Sequence, residues 1–239
     1  MKMINLNRNT VKANTYTERI IQFGEGNFLR AFADWMIHEM NKRANFDAGV
    51  VVVQPINQGL IKTLNGQDGL YTLYLNGIRN GKAISEHEII DCILRGVNPY
   101  ENHADYLAIA KNPDLRFMIS NTTEAGIEYN PDDKLNNTPQ RSFPGKLTAL
   151  LYKRFQIFKG ASDKGLILIP CELIDNNGGN LKRIILQYAD DWKLGADFVE
   201  WINEYNIFCN TLVDRIVPGY PRAKIDVITS EPVSYTHLT

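Results

Sequence analysis

The feature that most constrains this chain is the run from Arg19 to Trp35, RIIQFGEGNFLRAFADW, where a short apolar stretch ends at two glycines and passes into a helical pattern. Ile20 to Phe23 has the length of a buried strand closed by Gly24. From Asn27 the period changes: Phe28, Phe32, Met36 and Met40 recur every fourth residue with Leu29 and Trp35 beside them, which predicts one apolar stripe on a helix of about four turns. Asn27 is the expected N-cap. Ala48 to Pro55, AGVVVVQP, is then a β-branched run without polar alternation, as a strand buried on both faces of a parallel sheet requires. Strand, helix, strand is a βαβ unit.

The remaining chain continues the alternation. Leu70 to Ile90 carries alternating apolar residues around a Gly/Asn-rich turn, predicting an antiparallel hairpin or edge pair added to the sheet as an insertion. Pro99 to Ala110 reads as a helix, Leu115 to Asn121 as a strand, and Asn130 to Gln140 as a solvated loop. Lys146 to Phe158 is an amphipathic helix, Gly165 to Pro170 (GLILIP) a buried strand, and Asn180 to Trp192 and Ala196 to Asn206 two further helices, before IFC and TLVDRIVPGYP. The expected class is α/β, a doubly wound, mostly parallel sheet with a hairpin insertion.

With 239 residues, 44% of them hydrophobic, the chain can bury the core of one large domain, expected over 1–231. The last residues, 232–239 (PVSYTHLT in frame), have no helical or strand period and are expected to be a non-native or disordered tail. A formal net charge of -1 supplies no positive field, which argues against nucleic acid or an anionic membrane as a partner. Cys92, Cys171 and Cys209 are odd in number and widely spaced, so neither a disulfide framework nor a zinc site is encoded, and a reducing cytoplasm fits. No apolar stretch approaches the length of a membrane span or a signal h-region.

A glycine turn before a helix lets a pyrophosphate approach unpaired backbone N–H groups. Gly24 and Gly26 offer that approach, while Leu29 stands where a third glycine is usual and Glu25 must point away from any phosphate. Arg30, in the first turn, is a candidate phosphate contact. At the end of the second strand, where an acid usually accepts from the adenosine ribose, the chain has Gln54, so NAD is favoured over NADP only mildly. Taken alone, a G-x-G after an apolar run leaves a cofactor turn and a plain tight turn equally open.

Four segments in order, FGEGNFLRAF, SNTTEAGI, PCELIDNNG and TLVDRIVPGYP, resemble the polyol-specific long-chain dehydrogenase/reductase family, also called the mannitol dehydrogenase family, from about Glu18 to about Arg222. The resemblance implies a Rossmann-like domain binding NAD, with Ile20, Ile21, Gln22, Phe23, Gly24, Glu25, Gly26, Asn27, Phe28, Leu29, Arg30, Ala31, Gln54, Asn121, Thr122, Thr123 and Glu124 at the cofactor. It implies NAD-dependent interconversion of D-altronate and D-tagaturonate, a small sugar-acid substrate, in hexuronate breakdown. Sister activities on mannonate and fructuronate or on mannitol or its phosphate, and a nucleotide-binding module without catalysis, are the rival readings. The family also has a C-terminal helical domain whose K-x-x-x-x-N-x-x-H motif supplies a lysine acid/base. That motif does not occur in these residues, so no catalytic residue is assigned and the chain is expected to lack that domain and to be inactive alone.

Each further site has a plain structural reading beside the functional one. Asn121 to Glu124 follow a predicted strand, where such folds bind ligands, but a capping box also explains them. Glu172 and Asn176 follow the next strand. Many relatives read C-D-N there and polarise the substrate oxygen with the asparagine, a position held here by Leu173; a turn before a helix is the plain reading of Asn176 to Gly179. Asp214 lies near the substrate cleft by resemblance, or pairs with Arg215. Lys146 and Arg30 are the cations to test for the substrate carboxylate, although most helix lysines are simply solvated. His38, His87 and His103 show no metal or triad spacing, and Cys171 reads as a small buried hydrophobe.

Overall fold

The computed structural model describes residues 6–123 and 126–218. Its elements in chain order are β1 (Glu18–Phe23), α1 (Asn27–Ala31), α2 (Ala33–Ala44), β2 (Gly49–Val53), α3 (Ile61–Gly66), β3 (Tyr71–Arg79), β4 (Lys82–Ile90), β5 (Ile93–Val97), α4 (His103–Ala108), β6 (Phe117–Ser120), α5 (Phe143–Phe158), β7 (Ile167–Pro170), α6 (Asn177–Asp191), α7 (Ala196–Tyr205) and β8 (Ile207–Phe208). Six strands form one sheet in the order β5-β2-β1-β6-β7-β8, and every neighbouring pair is parallel. β1 therefore lies at the point where the strand order reverses. In such sheets the crevice outside the carboxyl ends at that point is where ligands bind.

Period-two alternation splits the core across the sheet. Ile20, Val50, Val52 and Ile119 face α1, α2, α3 and the base of the hairpin. Ile21, Phe23, Val51, Val53, Met118 and Leu168 face α4 to α7, where Tyr106, Leu147, Leu150, Tyr188, Phe198 and Trp201 pack. Each of the five residues of β2 is buried, as its unbroken β-branched run requires. Arg154 on α5 is wholly buried and donates to the carbonyls of Lys164, Ala110, Asn112 and Leu115, tying the helix to two connecting segments, α4–β6 and α5–β7. Among the described residues no helix is long and apolar enough to cross a membrane.

Several expectations are corrected. The long helix from Asn27 is two: Phe32 (φ -115, ψ -78) breaks it, its N–H bonding Leu29 O, and α2 restarts with a new phase. The buried line is accordingly Leu29, Ala33 and Ile37, whereas Met36 and Met40 are 38% and 40% exposed. The predicted N-cap Asn27 is the first helical residue, the cap being Gly26. The hairpin β3–β4 exists, turning at Asn80 and Gly81 (φ 53 and 74), but forms a separate two-stranded sheet instead of joining the parallel one. Tyr71 and Ile90 bury its base while Ile78 near its tip is 81% exposed. β5 and α3 are additional to the sequence reading. The loop from Asn130 to Gln140 is not simply solvated: Asp133 is buried and accepts from Arg141 N, Ser142 N and Ser142 Oγ, so that Ser142 can cap α5 through Gly145 N. The expected tail, 232–239, lies outside the described residues.

Candidate functional site

The carboxyl ends of β1, β6 and β7 bring three loops to one rim. Gly24 N bonds Val53 O, Asn121 N bonds Phe23 O, and Cys171 N bonds Ser120 O, which extends the strand ladder one residue past each end. Gly24 has φ +116, and a β-carbon there would lie 2.7 Å from Asn121 O; glycine is demanded both by the turn and by this approach. Gly26 differs: it has φ -69 and nothing within 4 Å of where a β-carbon would sit. It is exposed, and no side chain caps the first turn of α1, so the amides of that turn are unclaimed by side chains. With only five residues in α1, those local N–H groups outweigh any macrodipole.

Glu25 turns away from this opening. It is buried, its Oε1 accepts Leu60 N at 3.3 Å, and it reaches the loop after β2; burial raises its pKa, while backbone hydrogen bonds and nearby Arg30 oppose the rise. Gln54 faces the same loop, donating to the carbonyls of Ile56 and Asn57. Arg30 is 2% exposed beneath α1, bonded to Asn27 Oδ1 and set over the Tyr71 ring at 5.5 Å, while Tyr71 donates to Arg30 O. Its guanidinium is directed inward, toward the hairpin base, in place of the expected phosphate-facing pose.

Below the turn lies a polar cluster in which Gln22, one of the expected cofactor residues, meets Asp34, which the sequence reading missed. Gln22 Nε2 donates to Gly24 O (3.0 Å) and to Asp34 Oδ2 (3.3 Å), so it orients the Gly24–Glu25 peptide from inside the core. Burial pushes the Asp34 carboxyl up to about 7, against the Gln22 hydrogen bond and the Arg30 charge. Ile20, Ile21, Phe23, Leu29 and Ala31 are likewise buried; these predicted cofactor residues build the seat of the turn instead of its surface.

Opposite the turn, a crevice of about 250 Å³ is lined by Phe28, Asn121, Thr123, Glu172, Leu173, Val213, Asp214 and Arg215. Glu172 braces it: Oε1 accepts Thr122 N and Thr122 Oγ1, and Oε2 accepts Ser120 Oγ, all at 3.0 Å. Burial raises its pKa and these donors counter the rise. Asn121 Nδ2 donates to Cys171 O at 2.7 Å, and Thr123 holds φ 89, a left-handed backbone that is unusual for a β-branched residue. Glu124 lies outside the described residues. A neighbouring crevice of about 400 Å³ runs from Pro55 and Ile56 past Thr122 and Thr123 to Tyr129, Arg141 and Phe143.

The other candidates separate. Lys146 is wholly buried, donates to Arg141 O at 2.8 Å and lines neither crevice; burial lowers its pKa to about 8. Asn176 adopts a left-handed conformation (φ 51) before α6 and packs its amide on Gly179, also away from both crevices. Its neighbour Asn177 is the tie: Nδ2 donates to the carbonyls of Pro170, Glu172 and Thr211, and Oδ1 accepts Gly178 N and Thr211 N. Nothing but its place in an Asn-Asn-Gly-Gly run hinted at this. Asp214 does line the crevice, whereas Arg215 stacks over the Trp35 ring at 4.6 Å in place of the predicted pair.

Residues 18–235 match the mannitol dehydrogenase Rossmann domain. The chain belongs to that family. It is 53% identical to the altronate oxidoreductase of Bacillus subtilis (strain 168) over 230 residues, covering 96% of this chain and 48% of that protein. The altronate oxidoreductase of Phocaeicola vulgatus is 51% identical over 223 residues, covering 93% and 47%. The chain thus spans about half the length of the curated relatives it matches. In fold it is similar to Pseudomonas fluorescens mannitol 2-dehydrogenase, solved as a ternary complex with NAD and D-mannitol (TM-score 0.77, 20% identity, 94% of this chain and 50% of that one). D-sorbitol dehydrogenase in substrate-free form is as close (TM-score 0.77, 19% identity, 98% and 52%). In this member of the mannitol dehydrogenase family the first strand–helix junction is the Gly24-Glu25-Gly26 turn, with Glu25 and Leu29 buried.

Proposed function

We propose that this chain is the nicotinamide-cofactor-binding part of an NAD-dependent oxidoreductase that interconverts D-altronate and D-tagaturonate, working in the cytoplasm with a helical C-terminal domain of the same protein. The carrying observation is the open backbone at Gly26 beside the reversal point of a parallel sheet, facing the Asn121 loop across one rim. The substrate assignment rests on about half-identity to altronate oxidoreductases across nearly the whole of this chain.

In this reading the amides of the first turn of α1 hold the diphosphate, and Gln22 keeps the Gly24–Glu25 peptide aimed by its bond to Gly24 O. Glu25 contributes by its absence from the opening, tied to Leu60 N. Asn121, Thr122 and Thr123 line the side nearest the nicotinamide ribose, fixed by Glu172. The bound cofactor supplies hydride transfer to or from a secondary alcohol carbon, and the protein supplies orientation and charge. Phe28, Leu173 and Val213 give that crevice apolar walls. Asn176 and Lys146, away from the rim, are not favoured for substrate; Asp214 is.

NADH fluorescence titration of this chain tests the cofactor part: saturable binding is expected, weakened at least about tenfold, roughly 1.4 kcal/mol, by Gly26→Val at an unchanged unfolding midpoint. Equal affinity of the two proteins would refute the assignment of the turn. NADH oxidation with D-tagaturonate, by this chain and by one extended through the helical domain, tests the substrate. Turnover is expected only of the extended protein.

A further inference from the structure

Away from the crevice, α2 and β4 bring together side chains that are far apart in sequence. His38 is almost wholly buried, and its Nδ1 lies 2.8 Å from Asp91 Oδ1. Asp91 is itself anchored: Oδ2 accepts Asn14 N at 3.0 Å and Asn14 Nδ2 at 3.2 Å, and Oδ1 accepts the Tyr16 hydroxyl at 3.2 Å. The opposite ring nitrogen, Nε2, is buried without a hydrogen bond and points at Glu88 Oε1, 3.4 Å away. Glu39 completes the group, one ligand atom from each of His38, Glu39 and Glu88 lying within 4.8 Å of the others.

We propose that His38, Glu39 and Glu88 form a binding site for a divalent cation of the zinc class, which pins the β3–β4 hairpin to α2. One imidazole nitrogen and two carboxylate oxygens suit such an ion with a water in the fourth position. A histidine that donates its other N–H to an anchored carboxylate is the usual brace behind a metal-bound imidazole, because it fixes tautomer and ring orientation. Here Asp91, Asn14 and Tyr16 are that brace. An ion pair network alone explains Glu39 and Glu88 and places Glu88 beside Nε2 at 3.4 Å, but it gives that buried nitrogen no hydrogen bond.

The present cation in the group is the Lys42 ammonium, 3.2 Å from Glu39 Oε1 and in contact with Glu88 Oε1. Its side chain is 43% exposed on a flexible stem, and Arg43 holds the other Glu39 oxygen from outside. A surface depression lined by Trp35, Glu39, Lys42, Arg43, His87 and Glu88 gives access. A divalent ion displacing Lys42 puts two charges where one stood, and gains the imidazole that the ammonium cannot use. Sequence spacing conceals the site because its ligands come from a helix and from an inserted hairpin.

The test is Zn²⁺ titration by calorimetry at neutral pH, with thermal unfolding in parallel. One saturable zinc per chain is expected, with a raised unfolding midpoint; Glu88→Gln weakens binding at least tenfold, and Lys42→Ala, which removes the competing ammonium, binds at least as tightly as the unaltered protein. Zinc binding that Glu88→Gln leaves unchanged assigns the ion elsewhere and overturns the proposal. Absence of saturable one-to-one binding by both the unaltered protein and Lys42→Ala overturns it as well.

Discussion

Gly24 and the carbonyl of Asn121 approach so closely that a β-carbon on Gly24 would sit 2.7 Å from the oxygen, in a backbone conformation (φ +116) that side chains avoid. Gly24→Ala is therefore expected to cost about 1–3 kcal/mol of folding stability. Gly26→Ala, with open space around it, should stay within about 0.5 kcal/mol of the unaltered protein. Urea unfolding of the pair checks this; equal losses at both positions would contradict the close approach.

Lys146 carries a pH signature. Burial lowers its pKa from 10.5 to about 8, so in that interval the unfolded chain binds more protons than the folded one and stability rises with pH. Below the window the penalty is fully present, on the order of 3 kcal/mol. Lys146→Met removes the titrating group and should flatten this contribution between pH 8 and 10.5. The slope is the readout, since methionine also forfeits the bond to Arg141 O. Unfolding free energies across that range, compared between the two proteins, decide it.

Glu172 receives three hydrogen bonds from Ser120 and Thr122. Glu172→Ala leaves those donors unpaired in a buried site and is expected to destabilise by about 2–4 kcal/mol. Hydrogen exchange offers a local check: the Thr122 amide should lose protection before the β1 amides do.

Asn177 joins Thr211 to the carbonyls of Pro170 and Glu172. Asn177→Ala is expected to loosen the segment Thr211–Pro218, whose Arg215 rests on Trp35. Tryptic cleavage after Arg215 should then accelerate about tenfold or more under native conditions, as local opening becomes cheaper. Unchanged cleavage would show that Val213, Val217 and the Trp35 stack hold the segment by themselves.

Four of the six sheet strands, β1, β2, β6 and β7, were legible because the signals were local: a β-branched run for β2, GLILIP for β7, a glycine stop after β1. The helix break at Phe32 was not, since its cause is tertiary: α1 must seat Leu29 under the turn while α2 turns Ile37 and His38 toward the hairpin. Hairpin alternation was visible, but nothing in period two says which sheet a strand joins. The placing of Gly24, Gly26, Asn121 and Glu172 at one sheet edge could be read because each follows a strand within three residues. Asp34, Tyr71 and Asn177 could not, as their partners are carbonyls and amides of distant segments. Arg30 and Lys146 misled for one reason: charge suggests solvent or ligand, and here both cations are inside.

The two-sided packing of β1 has a further consequence. Ile20 and Gln22 point to one side of the sheet and Ile21 and Phe23 to the other, with the Phe23 ring against Phe143 at 4.9 Å and Tyr106 at 6.2 Å. Slipping the strand by a single step would exchange these sets, driving an amide into an aromatic layer and swinging the Gly24 carbonyl off the Gln22 amide that guides it. The aromatic residues on the far side thus act as the ratchet that holds the Gly24–Gly26 corner in register.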